Sequence, residues 1–302
     1  METAKPFLKW PGGKKNLIPQ LKAYFPDDLV KGKITTYIEP FIGGGSMFYY
    51  IKNNYPVKKA LINDVNKELM LTYRVVQRDL LQLLRILEKF QKEYILLEED
   101  ERKKYFYEAR EKFNNERFTI DYDAYSEQWV SRAAQVIFLN KTCYNGLFRF
   151  NRKGAFNTPY GSYKNPAIFN PENLLLVNKS LEDCEILCLD FEEMKRYIEP
   201  GSFVYLDPPY RPINKTSNFT AYSSGGFEDN EQRRLANLFK QLDNQNVKLM
   251  LSNSEPKNEK PDDAFFEEIY KGFNINTVYA HRMINCKGNR RGKIKEIVVT
   301  NY

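Results

Sequence analysis

The tetrapeptide Asp207-Pro208-Pro209-Tyr210 carries the side chains whose types and spacing point most directly to chemistry. It follows residues 202–206, an apolar, β-branched and aromatic run that predicts a buried strand. Each proline fixes its own φ and restricts the residue before it, so the turn is stiff. A carboxylate, backbone carbonyls and a flat ring could together hold a planar group that bears an amino function. The alternative is a proline-stiffened strand exit with a surface tyrosine.

Two further acids end predicted strands. Asp64 ends a strand that begins at residue 59, and Asp190 follows the strand at 184–189. Open α/β sheets bind ligands at the carboxyl ends of their strands. These acids and Asp207 are therefore candidates for one ligand crevice.

A glycine turn, Gly43-Gly44-Gly45, joins a predicted strand at 35–38 to an apolar helix start. Strand, glycine turn and helix are typical of a nucleotide-type cofactor site. Phe48 occupies the third glycine position of the dinucleotide fingerprint, so the pattern favours a ligand that places no phosphate there. Asp64, about 20 residues further on, suits ribose hydroxyls. It could equally cap the helix that follows.

The N-terminal segment Trp10-Pro11-Gly12-Gly13-Lys14 combines a ring, a glycine pair and a cation. The glycines allow close approach of the backbone to a ligand. A phosphate-binding P-loop would need a glycine where Leu8 stands. We interpret the segment as a loop that presents Trp10 and Lys14 to a cofactor; a basic N-terminal turn is the alternative.

The middle of the chain interrupts the alternation of strands and helices. Residues 67–118 are predicted to be helical, and residues 132–140 predict an amphipathic helix, which together indicate an inserted domain. Residues 141–164 then hold five basic side chains, six aromatic ones and no acid. Such a segment could neutralise phosphates and reach base edges. The alternative is a packed hairpin with core aromatics and solvated lysines.

The composition sets broad limits. The 302 residues carry a formal net charge of +7, which mildly favours a polyanionic partner. No apolar run predicts a membrane span, and four cysteines with one histidine make no convincing metal site. We expect free thiols and a cytoplasmic protein.

Near the end of the chain, Arg290 and Arg291 lie in a basic hairpin tip that suits phosphate contact, or that guards a sheet edge with charge.

Five motifs in order make the chain resemble the Dam-type, alpha-order DNA adenine-N6 methyltransferases, the group that includes the DpnII-system methylase. The resemblance covers essentially the whole length. Its motifs are Phe7 to Lys14, Glu39 to Gly45, Asn63-Asp64, Tyr144 to Arg149, and Asp207 to Tyr210.

The resemblance implies an α/β fold: a seven-stranded, Rossmann-like sheet of the S-adenosylmethionine-dependent methyltransferases. A mainly helical target-recognition domain would be inserted between the second and third strands. The expected catalytic, cofactor-binding domain comprises residues 1–66 and 172–302, and the DNA-binding insertion residues 67–171.

The resemblance also assigns site residues. Cofactor contacts would be Trp10, Lys14, Glu39, Phe41, Gly43, Asp64, Asp190, Phe191 and Asp207. DNA contacts would be Lys9, Asn145, Leu147, Arg149 and Pro159, to which the basic tip adds Arg290 and Arg291.

The implied reaction is methylation of adenine N6 in double-stranded DNA by base flipping, with Asp207, Pro208, Pro209 and Tyr210 as catalytic residues. The implied target is GATC, although Ser162 stands where several relatives carry arginine. Alternatives are a methylase of cytosine N4 or protein glutamine, and a catalytically silent DNA-binding relative. A cognate restriction endonuclease would be a functional partner, and we expect a monomer or weak dimer.

Overall fold

The computed structural model describes residues 2–151, 153–211, 227–281 and 293–302. Its strands are β1 (Thr36–Glu39), β2 (Lys59–Asn63), β3 (Cys184–Leu187), β4 (Phe203–Leu206), β5 (Lys248–Ser254), β6 (Asn274–His281) and β7 (Lys293–Thr300). Its helices are α1 (Ile18–Leu21), α2 (Asp27–Val30), α3 (Ser46–Asn54), α4 (Lys67–Arg78), α5 (Leu80–Ile95), α6 (Glu99–Glu116), α7 (Gln128–Thr142), α8 (Pro171–Leu181), α9 (Asp229–Asp243) and α10 (Phe265–Ile269).

The strands of the described chain form one seven-stranded sheet in the order β3-β2-β1-β4-β5-β7-β6. The first five are parallel to their neighbours, whereas β7 runs antiparallel between β5 and β6. β1 pairs with β2 on one side and β4 on the other, so the strand order reverses there. A crevice opens at the carboxyl ends of the strands at such a point. The predicted seven-stranded, Rossmann-like α/β sheet is confirmed.

Both faces of the sheet are covered by apolar side chains. Neighbouring residues of one strand point to opposite faces: Tyr37 packs into one cluster and Ile38 into the other. The first cluster continues through α3 to α8, and the second contains α9 and α10. The sheet is therefore the middle of three layers, which explains why its central strands are apolar on both faces.

The helices α4 to α8 lie between β2 and β3 in the chain. α4 is capped at its N-terminus by Asn66, whose side chain accepts a hydrogen bond from the Leu69 amide. It is tied to β3 by Arg74, which donates to the Ile186 carbonyl (2.9 Å), and by Gln77, which donates to the Cys184 carbonyl (2.8 Å). The inserted helices thus share a core with the sheet.

Two local predictions are wrong. The helix predicted as amphipathic at 132–140 is α7, and it is buried on nearly all sides because α4, α5 and α6 surround it. The third strand, predicted to reach residue 189, ends at Leu187. The Asn63 side chain accepts from the Leu189 amide (2.8 Å) and donates to the Leu189 carbonyl (3.0 Å), which takes that backbone out of the ladder.

Across the described ranges, no helix combines the length and the apolar character that a membrane crossing requires.

Candidate active site

A cavity of about 520 Å³ opens at the carboxyl ends of β1, β2, β3 and β4. Its wall includes the predicted site residues Trp10, Lys14, Glu39, Phe41, Gly43, Asp64, Asp190, Phe191, Asp207, Pro208, Pro209 and Tyr210. The structure therefore brings together all the side chains that the sequence assigned to cofactor binding and catalysis. Most of them follow the ends of separate parallel strands, which the sheet brings together, whereas Trp10 and Lys14 come from a loop that precedes β1.

Asp207 lies beyond β4 and is held by two other elements. The Lys14 ammonium lies 2.7 Å from Asp207 Oδ1, and Ser252 of β5 donates to the same oxygen at 3.4 Å. Lys14 is almost fully buried, and the Asp207 side chain is 17% exposed. Burial raises the pKa of Asp207, and the lysine opposes that rise without cancelling it. The Asp207 carboxylate is thus desolvated and oriented, and the charge of Lys14 offsets only part of the effect of its burial.

The backbone after Asp207 is fixed from α9. Gln232 donates to the Pro209 carbonyl at 3.2 Å and accepts from Asn253 at 3.1 Å. The Tyr210 hydroxyl donates to Glu296 of β7, and the Lys14 ammonium lies 4.7 Å from the centre of the Tyr210 ring. Tyr210 is partly buried, so the alternative of a surface tyrosine is wrong.

Glu39 ends β1 directly beneath the cavity and is 2% exposed. It accepts a hydrogen bond from the Tyr37 hydroxyl at 2.6 Å. Burial raises its pKa well above the ordinary value, although the hydrogen bond from Tyr37 and the charge of Lys14 work against the rise. Glu39, Asp207 and Glu296 thus form a group of buried acids around Lys14.

The glycine turn is shaped by the indole of Trp10. Gly43 has a φ of +47° and Gly45 a φ of +74°, which side-chain-bearing residues rarely adopt. A Cβ on Gly43 would lie 2.8 Å from Trp10 Cδ1, and one on Gly44 would lie 3.0 Å from Trp10 Cβ. The glycines are therefore needed both for the backbone turn and for contact with the loop that carries Trp10.

Asp64 spans the glycine turn and the start of α4. Its carboxylate accepts from the Gly43 amide (3.2 Å) and from the Asn66 amide (3.0 Å). The helix is capped by Asn66, so the alternative that Asp64 is its N-cap is wrong. Burial raises the pKa of Asp64 to about 6 in spite of these backbone hydrogen bonds.

An aromatic group closes the other end of the cavity. The rings of Phe41, Phe191 and Phe227 lie 5.5–5.7 Å apart, and all three line the cavity. Arg234 of α9 lies over the Phe191 ring and donates to Asp190 at 2.9 Å. This end offers apolar faces beside a fixed carboxylate.

Several of these groups were missed in the sequence. Gln232 and Arg234 lie on α9, Ser252 on β5 and Glu296 on β7, and no local spacing in the sequence distinguishes them from other polar positions. Phe227 was not singled out either; it follows residues 212–226, which lie outside the described residues.

Four of the predicted DNA residues lie in two adjoining segments: Lys9 in the 9–14 loop, and Asn145, Leu147 and Arg149 in the 144–149 turn. The Tyr144 amide donates to the Pro159 carbonyl at 2.8 Å, which places Pro159 beside the turn. Asn145 and Pro159 are exposed, Leu147 and Arg149 are half-buried, and Lys9 is exposed with its ammonium 4.4 Å from the centre of the Tyr163 ring. Arg290 and Arg291 lie outside the described residues.

The aromatics of residues 141–164 divide between core and surface. Phe148, Phe156 and Tyr160 are buried, as the hairpin alternative expected, and the Cys143–Tyr160 and Phe150–Phe156 pairs form isolated β-bridges. Tyr144 is 53% exposed. The buried rings stiffen the segment, and polar side chains on its outer side stay accessible.

Sheet and cavity together define a Rossmann-like methyltransferase arrangement, and comparison with known proteins identifies the family. Residues 10–284 match the family model described as D12 class N6 adenine-specific DNA methyltransferase. The chain belongs to this family and is an enzyme of the adenine-specific DNA methyltransferase type. The expected resemblance to Dam-type enzymes is confirmed.

Three relatives show how far the similarity extends. The Type II methyltransferase M.MjaIII of Methanocaldococcus jannaschii is 48% identical, over 99% of each chain. The Type II methyltransferase M1.LlaDCHI of Lactococcus lactis subsp. cremoris is 39% identical, over 99% of this chain and 95% of the relative. A DNA adenine methylase of Salmonella typhi is 30% identical, over 99% and 95%.

Proposed function

We propose that the protein transfers a methyl group from S-adenosylmethionine to N6 of an adenine that has been flipped out of duplex DNA, within the sequence GATC. The main support is one cavity whose wall carries both the Asp207-Pro208-Pro209-Tyr210 turn and the Asp64-bound glycine turn. Acceptors for an amino group and acceptors for sugar hydroxyls thus lie on the same wall.

The cavity fits this cofactor. Its volume lies within the roughly 300–1,000 Å³ of small-molecule sites. The three phenylalanines suit a purine face, Asp190 suits an exocyclic amine, and the desolvated Asp64 suits ribose hydroxyls that donate hydrogen bonds. Trp10 and Lys14 close the side next to the glycine turn. When bound, S-adenosylmethionine supplies an electrophilic methyl carbon on a sulfonium.

Asp207 and the Pro208 carbonyl act on the adenine amino group. The lone pair of N6 is delocalised into the ring, which makes the nitrogen a poor nucleophile. Hydrogen bonds from the amino group to these two acceptors localise the pair and fix its direction. The carboxylate then stabilises the positive charge that develops on nitrogen, and positioning contributes several kcal/mol. Tyr210 stacks on the base, with its ring fixed by the hydrogen bond to Glu296.

The inserted segment, residues 67–171, is proposed to recognise DNA. Base flipping costs a few kcal/mol, which contacts elsewhere on the duplex must offset. Lys9, Asn145, Leu147, Arg149 and Pro159 lie on adjoining segments next to the cavity and could make them. Arg290 and Arg291 would add phosphate contacts. Ser162, in place of an arginine, is a difference from several relatives that bears on the target sequence.

Methyl transfer can be tested with isotopically labelled S-adenosylmethionine and duplex DNA, followed by nucleoside digestion and chromatography. We expect label in N6-methyladenine, and Asp207→Ala should abolish it while duplex binding persists. Asp262→Ala, which removes an exposed aspartate, is the matched control. Label in a cytosine derivative or in protein would refute the proposed substrate.

The target sequence can be tested by methylation-sensitive long-read sequencing of DNA exposed to the protein. Modification confined to GATC is expected. Arg149→Ala should relax discrimination at one base pair by about 1–3 kcal/mol if the arginine reads a base edge. Arg290→Ala and Arg291→Ala should flatten the dependence of binding on salt.

The biological setting follows from the same proposal. The Type II designation of two relatives supports a cognate restriction endonuclease as a functional partner. We also propose that the protein acts in the cytoplasm, where it would meet its DNA substrate, as a monomer or weak dimer.

A further inference from the structure

Asn140, near the end of α7, is fully buried and bonds to two segments at once. Its side-chain oxygen accepts from the Lys9 amide at 2.8 Å. Its side-chain nitrogen donates to the Lys9 carbonyl at 2.8 Å and to the Gly146 carbonyl at 3.2 Å. We propose that Asn140 is a positioning residue that fixes the 9–14 loop and the 144–149 turn relative to each other, and thereby couples cofactor binding to DNA discrimination. The inference rests on the proposed function of those segments.

The chemistry of the side chain is specific to this task. A primary amide offers one acceptor and two donors, and all are used on backbone groups that would otherwise need other partners. Aspartate would keep the acceptor and lose both donors; leucine would lose all three bonds. By contrast, Thr142 of the same helix donates to the Phe138 carbonyl, within α7 itself.

A second contact makes the arrangement sensitive to small displacements. Gly146 has a φ of +65°, and a Cβ there would lie 2.5 Å from both Cβ and Cδ of Lys9. The Lys9 side chain therefore lies directly against the turn. Its ammonium lies 4.4 Å from the centre of the Tyr163 ring.

Trp10, the next residue in the chain, connects the Lys9 backbone to the proposed cofactor site. Trp10 packs against Gly43 and Gly44, where there is no room for a Cβ to be added without a shift. Its ring also lies 6.3 Å from that of Phe148, next to the turn. A displacement of the Lys9 backbone therefore moves the indole that shapes the glycine turn. Loss of the Asn140 amide should disturb both ligand sites, although the side chain touches neither ligand.

Asn178 of α8 supplies a matched control. Its side chain also bridges two backbone carbonyls, those of Val76 (2.8 Å) and Gln77 (3.0 Å), but in the contact between α8 and α4. Asn140→Ala and Asn178→Ala thus both remove an asparagine that links two segments, and only the first lies between the two ligand sites. Asn140→Asp adds a near-isosteric change that removes only the donors.

The test measures binding of S-adenosylhomocysteine by calorimetry, and binding of a GATC duplex and a one-base variant by titration. Asn140→Ala and Asn140→Asp should each weaken cofactor binding and reduce discrimination by about tenfold, the equivalent of one to two hydrogen bonds. Asn178→Ala should change neither the cofactor affinity nor the discrimination. Unchanged affinities in both Asn140 variants, or equal losses in Asn178→Ala, would overturn the inference.

Amide hydrogen exchange separates this outcome from a failure of the proposed function. In the protein without ligands, Asn140→Ala should accelerate exchange in both 9–14 and 144–149, and Asn178→Ala in neither. If the wild-type protein bound no cofactor, the proposed function would fail, and the exchange rates would still decide the positioning role. Acceleration in one segment only would refute it.

Discussion

Asp64 is a carboxylate that burial makes harder to ionise, with a pKa of about 6. In its proposed role, the ionised carboxylate is the stronger acceptor for the ribose hydroxyls of the cofactor. Cofactor affinity should therefore rise as pH rises through about 6 and level off above it. Calorimetric titrations across this range in wild type and Asp64→Asn would check this. The variant should bind weakly at every pH, and a wild-type affinity independent of pH would contradict the role.

Lys14 governs the protonation of Asp207. Burial raises the pKa of this carboxyl and the lysine lowers it, so loss of the lysine should raise the pKa further. Since the proposed reaction needs the carboxylate, Lys14→Met should move the acidic limb of the kcat–pH profile to higher pH. The exposed neighbour gives the control, Lys15→Met. An acidic limb that does not move would show that Lys14 does not influence the pKa of Asp207.

At the residue scale, the sequence predicts the site residues that belong to recognisable motifs. It misses the side chains from elsewhere in the chain that hold those residues in place. Asp207 was found because it ends a predicted strand and two prolines follow it, and Asp64 because it ends another predicted strand about 20 residues after the glycine turn. Ser252, Gln232 and Glu296 act on the same turn from β5, α9 and β7. Their contacts depend on how distant strands and helices pack, and periodicity carries no such information.

At the scale of elements, the glycine turn connects β1 to α3 and forms part of the cavity wall. Gly43→Ala should lose about 1–2 kcal/mol from the strained φ and should also weaken cofactor binding, because its Cβ would displace Trp10. Gly201→Ala is the control, because Gly201 has a comparable φ of +80° and nothing lies within 4 Å of the Cβ that alanine would add. Thermal melts and cofactor titrations would compare the two. Equal cofactor affinities in the two variants would contradict the Trp10 contact.

Most elements could be anticipated because strands rich in apolar residues are short and bounded by glycine, proline or acids. The burial of α7 was not anticipated, because polar Arg132 and Asn140 resemble a solvated face in the sequence. Both are buried, since Arg132 bonds to Glu68 and Asn140 to the 9–14 loop. A buried polar residue that has hydrogen-bond partners gives the same local sequence pattern as a polar residue exposed to solvent.

At the scale of the whole molecule, Arg132 joins three helices. It lies 1% exposed, donates through Nε to both oxygens of Glu68 (3.1 and 3.0 Å), and bonds to the Phe113 carbonyl. Arg132→Met would leave Glu68 buried without its cation, at a cost of about 3–5 kcal/mol in the free energy of unfolding. Urea denaturation would measure it. Lys92→Met, which breaks an exposed pair with Glu88, should leave the midpoint nearly unchanged.

The place of β7 has a consequence for synthesis on the ribosome. This strand is the last of the seven to emerge, yet it lies between β5 and β6 and supplies Glu296 to Tyr210. Domains tend to fold as units once enough chain has emerged. A nascent polypeptide that has reached only Tyr279 can pair its first five strands, while β6 still lacks its neighbour. Methylation competence should therefore arise late, after the cofactor half of the cavity has already taken shape.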